Sequence, residues 1–121
     1  MKQVLIVDDS EQIRERLVTL MAESTQIRIV GQAGDGRQAL DAMQRLKPDT
    51  VILDIRLPGP SGIELLKQIK ARYPGVTVIM LTNFDYAMYR RQCQELGADY
   101  FLNKTLEFEK IVDTILDHPA P

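Results

Sequence analysis

Short apolar runs alternate along the chain with longer segments whose apolar residues recur every three or four positions. Residues 4–7 (VLIV), 27–33 (IRIVGQA), 50–53 (TVIL), 77–81 (TVIML) and 100–102 (YFL) read as strands. The third is a continuous apolar run bounded by Pro and Gly, the pattern of a strand covered on both faces. In 10–21, Ile13, Leu17, Leu20 and Met21 recur at helical spacing, with Ser10 as the N-cap. Ala39, Leu40, Met43 and Leu46 do the same after the turn Gly34-Asp35-Gly36, and Lys47-Pro48 ends that helix. Ile63, Leu65, Leu66 and Ile69 form the inward stripe of a third helix that stops near Tyr73-Pro74-Gly75, with Glu64, Lys67 and Lys70 facing water. A fourth helix is predicted over 85–96, stopped by Gly97, and a fifth over 107–116 with Phe108, Ile111, Val112 and Ile115 inward.

Five strand–helix alternations, with no repeat, low-complexity stretch or internal linker, predict an α/β fold: an open parallel sheet with helices on both faces and right-handed crossovers. The expected strand order is the flavodoxin-like 2-1-3-4-5. A length of 121 residues suits one domain, read as 1–118, with 119–121 as a tail or the start of a linker. The net charge of −2 gives no electrostatic reason to expect nucleic-acid binding by this domain. No apolar run is long enough to span a bilayer, and MKQVLIVDDS lacks a signal-peptide core, so no membrane partner and a cytoplasmic location are expected. Cys93 stands alone, which leaves no intramolecular disulfide and no cysteine metal cluster, and it reads as a small apolar residue on a helix. The one histidine, His118, reads as a helix-end residue.

The run VILDIRLPGPSG raises a chemical question, because a strand of buried character stops on an acid, Asp54. In an open parallel sheet the ligand crevice lies beyond the carboxyl ends of the strands, where the order reverses. The residues there are Asp8 and Asp9 after the first strand, Asp54 after the third, Thr82 after the fourth and Lys104 after the fifth. Taken singly, Asp8 and Asp9 could cap the first helix, Thr82 with Asn83 could begin the fourth, and Lys104 could be a surface lysine. Taken together they build a site. Two carboxylates about 4 Å apart repel by roughly 4 kcal/mol at an effective dielectric near 20, so three need counter-charge. Lys104 supplies one charge, and a hard divalent cation such as Mg²⁺, held by a few carboxylates and waters, supplies two. A carboxylate so screened is able to attack phosphorus and become an acyl phosphate.

These residues resemble the receiver domain of bacterial two-component response regulators, from VLIVDDS through VILDIRLPGPSG and VIMLTN to GADYFLNK. The resemblance implies that Asp54 is the phosphoacceptor, Asp9 a direct Mg²⁺ ligand and Asp8 an acid acting on the metal through water. It also implies that the Arg56 backbone carbonyl is a further metal ligand. Thr82 resembles the family's switch hydroxyl, Lys104 its phosphate-binding lysine and Phe101 its rotameric aromatic. The implied partners are a sensor histidine kinase or a phosphotransfer protein as donor, an output partner of unknown identity, and a second copy in a phosphorylation-dependent dimer. No enzymatic activity is expected beyond the domain's own phosphorylation and dephosphorylation. His118 does not match the donor histidine. Arg56 and Phe84 resemble positions that tune phosphoryl lifetime. The family usually has Lys-Pro, often cis, where this chain has Lys104-Thr105, and a cis bond before a non-proline residue costs about 2.5 to 4 kcal/mol. The segment LTNFDYAMYRRQCQELGADYFLNKT resembles receivers of nitrate-response regulators, and the chain reads as a free-standing receiver or as a fragment cut at a Pro-containing linker.

Two rival readings use the same residues. Gly34, Gly36 and Ala39 fit a GxGxxA dinucleotide fingerprint, although Asp35 would repel a pyrophosphate. A metal-dependent phosphatase with an aspartyl nucleophile needs the same acids, although no cap segment to enclose a substrate is evident.

Overall fold

The apolar runs pair as expected for buried parallel strands. In the computed structural model, which describes residues 1–117, strands β1 (Lys2–Val7), β2 (Ile27–Ala33), β3 (Thr50–Leu53), β4 (Thr77–Thr82) and β5 (Tyr100–Asn103) form one sheet. All neighbours are parallel and the order is β2-β1-β3-β4-β5. The period-two alternation of strand side chains divides the core. Val4 and Ile6 face one side with Leu17 and Met21 of α1 (Glu11–Met21) and Ile111 and Ile115 of α5 (Ile111–Asp117). Leu5 and Val7 face the other, with Met43 of α2 (Gly36–Leu46), Leu66 of α3 (Gly62–Arg72) and Cys93 of α4 (Ala87–Glu95). Each fully buried Leu or Ile, such as Leu17, Leu65 and Ile69, contributes about 1.5–3 kcal/mol of burial free energy.

The helix starts follow local chemistry. Ser10 Oγ accepts from Ile13 N at 3.2 Å, Asp35 Oδ1 from Gln38 N at 2.8 Å and Ser61 Oγ from Glu64 N at 3.2 Å. Lys47, in the left-handed region at φ 49°, closes α2 ahead of Pro48. Three expectations need correction. α4 starts at Ala87 rather than at Asp85, because the Asp85 carboxylate is engaged by Arg90 and Asn103 and the backbone at Tyr86 is extended. The last helix begins as a 3₁₀ turn, Phe108–Lys110, before α5. Lys70 does not stand in water; its Nζ donates to Val76 O at 2.7 Å and Asp99 Oδ2 at 2.9 Å. His118 and the tail expected at 119–121 lie outside the described residues. Among the described residues, no helix is long and apolar enough to cross a membrane.

Candidate functional site

Because β1 and β3 pair in register, with Val7 opposite Leu53, the acids that follow them emerge side by side. Asp8 N donates to Ala33 O at 3.0 Å and Asp54 N to Val7 O at 3.1 Å, so the backbone of both acids continues the sheet. Oxygens of Asp8, Asp9 and Asp54 all lie within 4.8 Å of one another. Asp8 is 2% and Asp54 5% exposed, whereas Asp9 faces solvent. Each buried carboxylate is fixed by a backbone donor: Ser10 N to Asp8 Oδ1 at 2.9 Å and Ile55 N to Asp54 Oδ1 at 2.7 Å.

Lys104 provides the counter-charge. Its Nζ lies 2.7 Å from Asp8 Oδ2 and 2.6 Å from Asp54 Oδ2, with little exposure of any of the three side chains. Burial raises the pKa of Asp8 above its ordinary value, against the opposing pull of Lys104 and the Ser10 N–H, and the Asp54 charge adds to the rise. For Lys104 burial acts downward, but the two hydrogen-bonded carboxylates together outweigh it and leave the ammonium above its ordinary value. Hard oxygen donors in this number fit a hard divalent cation: Asp8, Asp9 and Asp54 would hold Mg²⁺.

The remaining strand ends border the same cluster. Thr82 is fully buried at the end of β4, and its Oγ1 accepts from Phe84 N at 3.1 Å. Lys104 N donates to Thr82 O at 2.9 Å, which ties the lysine to that strand end. The Lys104-Thr105 bond is trans. In place of a proline, Asn103 Oδ1 accepts from Thr105 N and Leu106 N, both at 2.9 Å, and Thr105 Oγ1 bonds Asn83 Oδ1 at 2.8 Å. The Phe101 ring is half-buried, with the Arg90 guanidinium 4.6 Å from its centre; Arg56 is exposed and lies 4.6 Å over Phe84.

Some contacts of this region carried no sequence expectation, Arg90 being legible only as a residue on the exposed face of the fourth helix. Arg90 pairs with Asp85, with Nη2–Oδ2 at 3.0 Å, and reaches Glu107 at 3.7 Å, while Asn103 joins both acids. No helical spacing links Asp85 to Arg90, so only the loop geometry could have found the pair. Arg14 was missed as well; it donates to the Asp8 carbonyl at 2.6 Å, and its place four residues after the cap Ser10 was the available signal. The glycine fingerprint has another use here. Asp35 caps α2 with its own carboxylate, and a Cβ at Gly36 would lie 3.1 Å from Pro60 O, so that glycine admits the β3–α3 loop.

The family described as the response regulator receiver domain matches residues 4–116. The chain is 32% identical over 116 residues to the transcriptional regulatory protein LnrK of Bacillus subtilis, covering 96% of this chain and 53% of LnrK. It is 36% identical over 115 residues to protein CcdB of Bacillus subtilis, covering 95% of each. The chain thus spans about half the length of LnrK and nearly all of CcdB. The receiver domain of the putative response regulator NarL from Mycobacterium tuberculosis superposes with a TM-score of 0.89 at 29% identity, covering 96% of this chain and 94% of that one. With sheet order, acid cluster and family match in agreement over almost its whole length, this chain belongs to the response regulator receiver domains of two-component systems.

Proposed function

We propose that this domain accepts a phosphoryl group on Asp54 in a Mg²⁺-dependent reaction and answers by changing its surface around α4 and β5. The observation that carries this reading is the convergence of Asp8, Asp9, Asp54 and Lys104 Nζ at the carboxyl ends of three neighbouring or near-neighbouring strands. A carboxylate oxygen of Asp54 forms the new O–P bond as the P–N bond of a donor phosphohistidine breaks; the leaving imidazole takes the electron pair and then a proton. The Ile55 N–H holds the plane of the attacking group. Lys104, already on Asp54, receives the phosphoryl oxygens, and Thr82, at the neighbouring strand end, turns its hydroxyl to them. Asp8, Asp9, Asp54 and the Arg56 carbonyl would hold Mg²⁺, which supplies neutralisation of phosphoryl charge.

The Thr82 movement frees space toward Phe101 and biases α4 and β5 toward a second arrangement, a population shift rather than a new fold. The donor is a sensor histidine kinase or a phosphotransfer protein, the compartment is the cytoplasm, and the domain spans residues 1–118. Incubation with acetyl phosphate and Mg²⁺ followed by intact mass measurement should show one added phosphoryl group, absent in Asp54→Ala and without Mg²⁺. Sustained turnover of a phosphomonoester, with no phosphoprotein accumulating, would instead favour an aspartyl-nucleophile phosphatase.

A further inference from the structure

Asp8 and Asp9 lie one and two residues past Val7, the last residue of β1; the Asp8 N–H still bonds Ala33 O of β2, and the peptide that follows it leaves the sheet. A single planar peptide group joins the two acids, so the orientation of that plane sets the directions of both side chains. The carbonyl of this group, Asp8 O, accepts from Arg14 Nη1 at 2.6 Å. Arg14 is itself tied through Nε to Gln32 Oε1, at 3.3 Å, on the edge strand β2. A rigid guanidinium bonded through two nitrogens cannot swing from one partner without losing the other. Both bonds go to uncharged oxygens, a backbone carbonyl and an amide, so what Arg14 delivers to the acids is orientation. Ser10 holds the same turn from the opposite end, its N–H donating to Asp8 Oδ1 and its hydroxyl oxygen accepting from Ile13 N.

We propose that Arg14 is a positioning residue for the Mg²⁺ site: it fixes the Asp8–Asp9 peptide so that both carboxylates meet Asp54. This rests on the reading above that these acids hold Mg²⁺. Position and charge act with opposite sign here. A positive charge near a cation site repels the cation, so an Arg14 that mattered only as a charge would weaken binding, and its removal would tighten it. Loss of an outer-shell partner loosens ligand geometry and typically weakens metal affinity by about 10- to 100-fold.

Calorimetric titration of Mg²⁺ into the full chain decides between these. Arg14→Met is expected to bind Mg²⁺ about tenfold more weakly than wild type. Arg14→Lys should not restore affinity, because one ammonium cannot reproduce the planar fork that joins both oxygens. Phosphorylation by acetyl phosphate should need correspondingly more Mg²⁺ yet reach the wild-type rate at saturation. Folded Arg14→Met with unchanged or tighter Mg²⁺ binding, or full rescue by lysine, overturns the proposal. Should Arg14→Met fail to fold, Gln32→Ala, an exposed position, removes the second anchor and is expected to weaken binding about two- to threefold; unchanged affinity there overturns the proposal equally. Asp9→Asn separates the two levels of the argument. Wild-type binding absent, or indifferent to Asp9→Asn, overturns the metal reading and this inference with it, whereas binding that needs Asp9 but ignores Arg14 overturns the inference alone.

Discussion

Asp8 shares the Lys104 ammonium with Asp54, and burial is the main reason that its proton is held more tightly than in an unfolded chain. A carboxyl whose folded pKa lies above its unfolded value of 3.8 makes the folded state bind the extra proton. Its charged form therefore costs stability at neutral pH, and the cost disappears as pH falls through the folded value toward 3.8. Asp8→Asn should accordingly raise the thermal midpoint in Mg²⁺-free buffer at pH 7, by about 2–5 °C if the relief is near 1 kcal/mol. The gain should shrink on acidification through that window, because wild-type Asp8 becomes neutral there too. Saturating Mg²⁺ should reverse the order, since a ligand that binds only the folded state stabilises the protein with the better site. Scanning calorimetry of both proteins across pH, with and without Mg²⁺, checks each part. A destabilised Asp8→Asn at pH 7 without metal would mean that its bond to Lys104 outweighs its burial.

At the scale of elements, the site depends on how closely α3 approaches the acid. A Cβ built on Gly62 would lie 1.8 Å from Asp54 O, while Gly62 N donates to Ile55 O at 2.7 Å, so the first turn of α3 sits against the backbone that carries Asp54. Gly62→Ala should cost about 3 kcal/mol or more in urea unfolding, because a fixed backbone atom rather than a flexible side chain must move. Gly75→Ala, with open space around its Cβ, should change stability by less than about 0.5 kcal/mol. The sequence made the glycine visible only as part of a loop, because the clash arises from the folded path of the chain. Strands were more legible: a buried parallel strand is apolar on both faces, so VLIV and TVIL announce themselves, and the strand order then makes Asp8 and Asp54 neighbours. Helix boundaries set by distant partners were not. Asp85 looked like the start of a helix, yet its carboxylate goes to Arg90 and to Asn103, 18 residues away, and the helix waits until Ala87. Lys70 looked exposed by its helical spacing, yet its partner Asp99 is 29 residues away. Likewise the acids of the site were readable from strand ends, whereas Arg14 acts on a backbone carbonyl, which no residue letter reveals.

At the scale of the molecule, the three helices that share the core layer of Leu5 and Val7 are unequally held. α2 and α3 each bury four residues, whereas α4 buries Cys93 alone and has no side-chain cap, and Tyr86 at its N-cap and Met88 in its first turn stand exposed. Its ties to the rest of the fold include the polar group around Arg90, which joins Asp85, the Phe101 ring and Glu107 across the β5–α5 connection. A helix held this way opens at low cost, and the acids on the ends of β1 and β3 need not move when it does. Cys93 reports on that opening. The side chain is fully buried, and burial pushes its thiol up to about 11, so almost no reactive thiolate is present at pH 8 until α4 lifts. Labelling by a thiol reagent should therefore run faster than global unfolding measured by urea jump, and its rate should not change when Mg²⁺ fills the acid cluster. Were labelling instead to slow with Mg²⁺ in step with the added global stability, α4 would open only with the whole fold. Its rearrangement on phosphorylation would then have to proceed as a rigid shift rather than through a locally released helix.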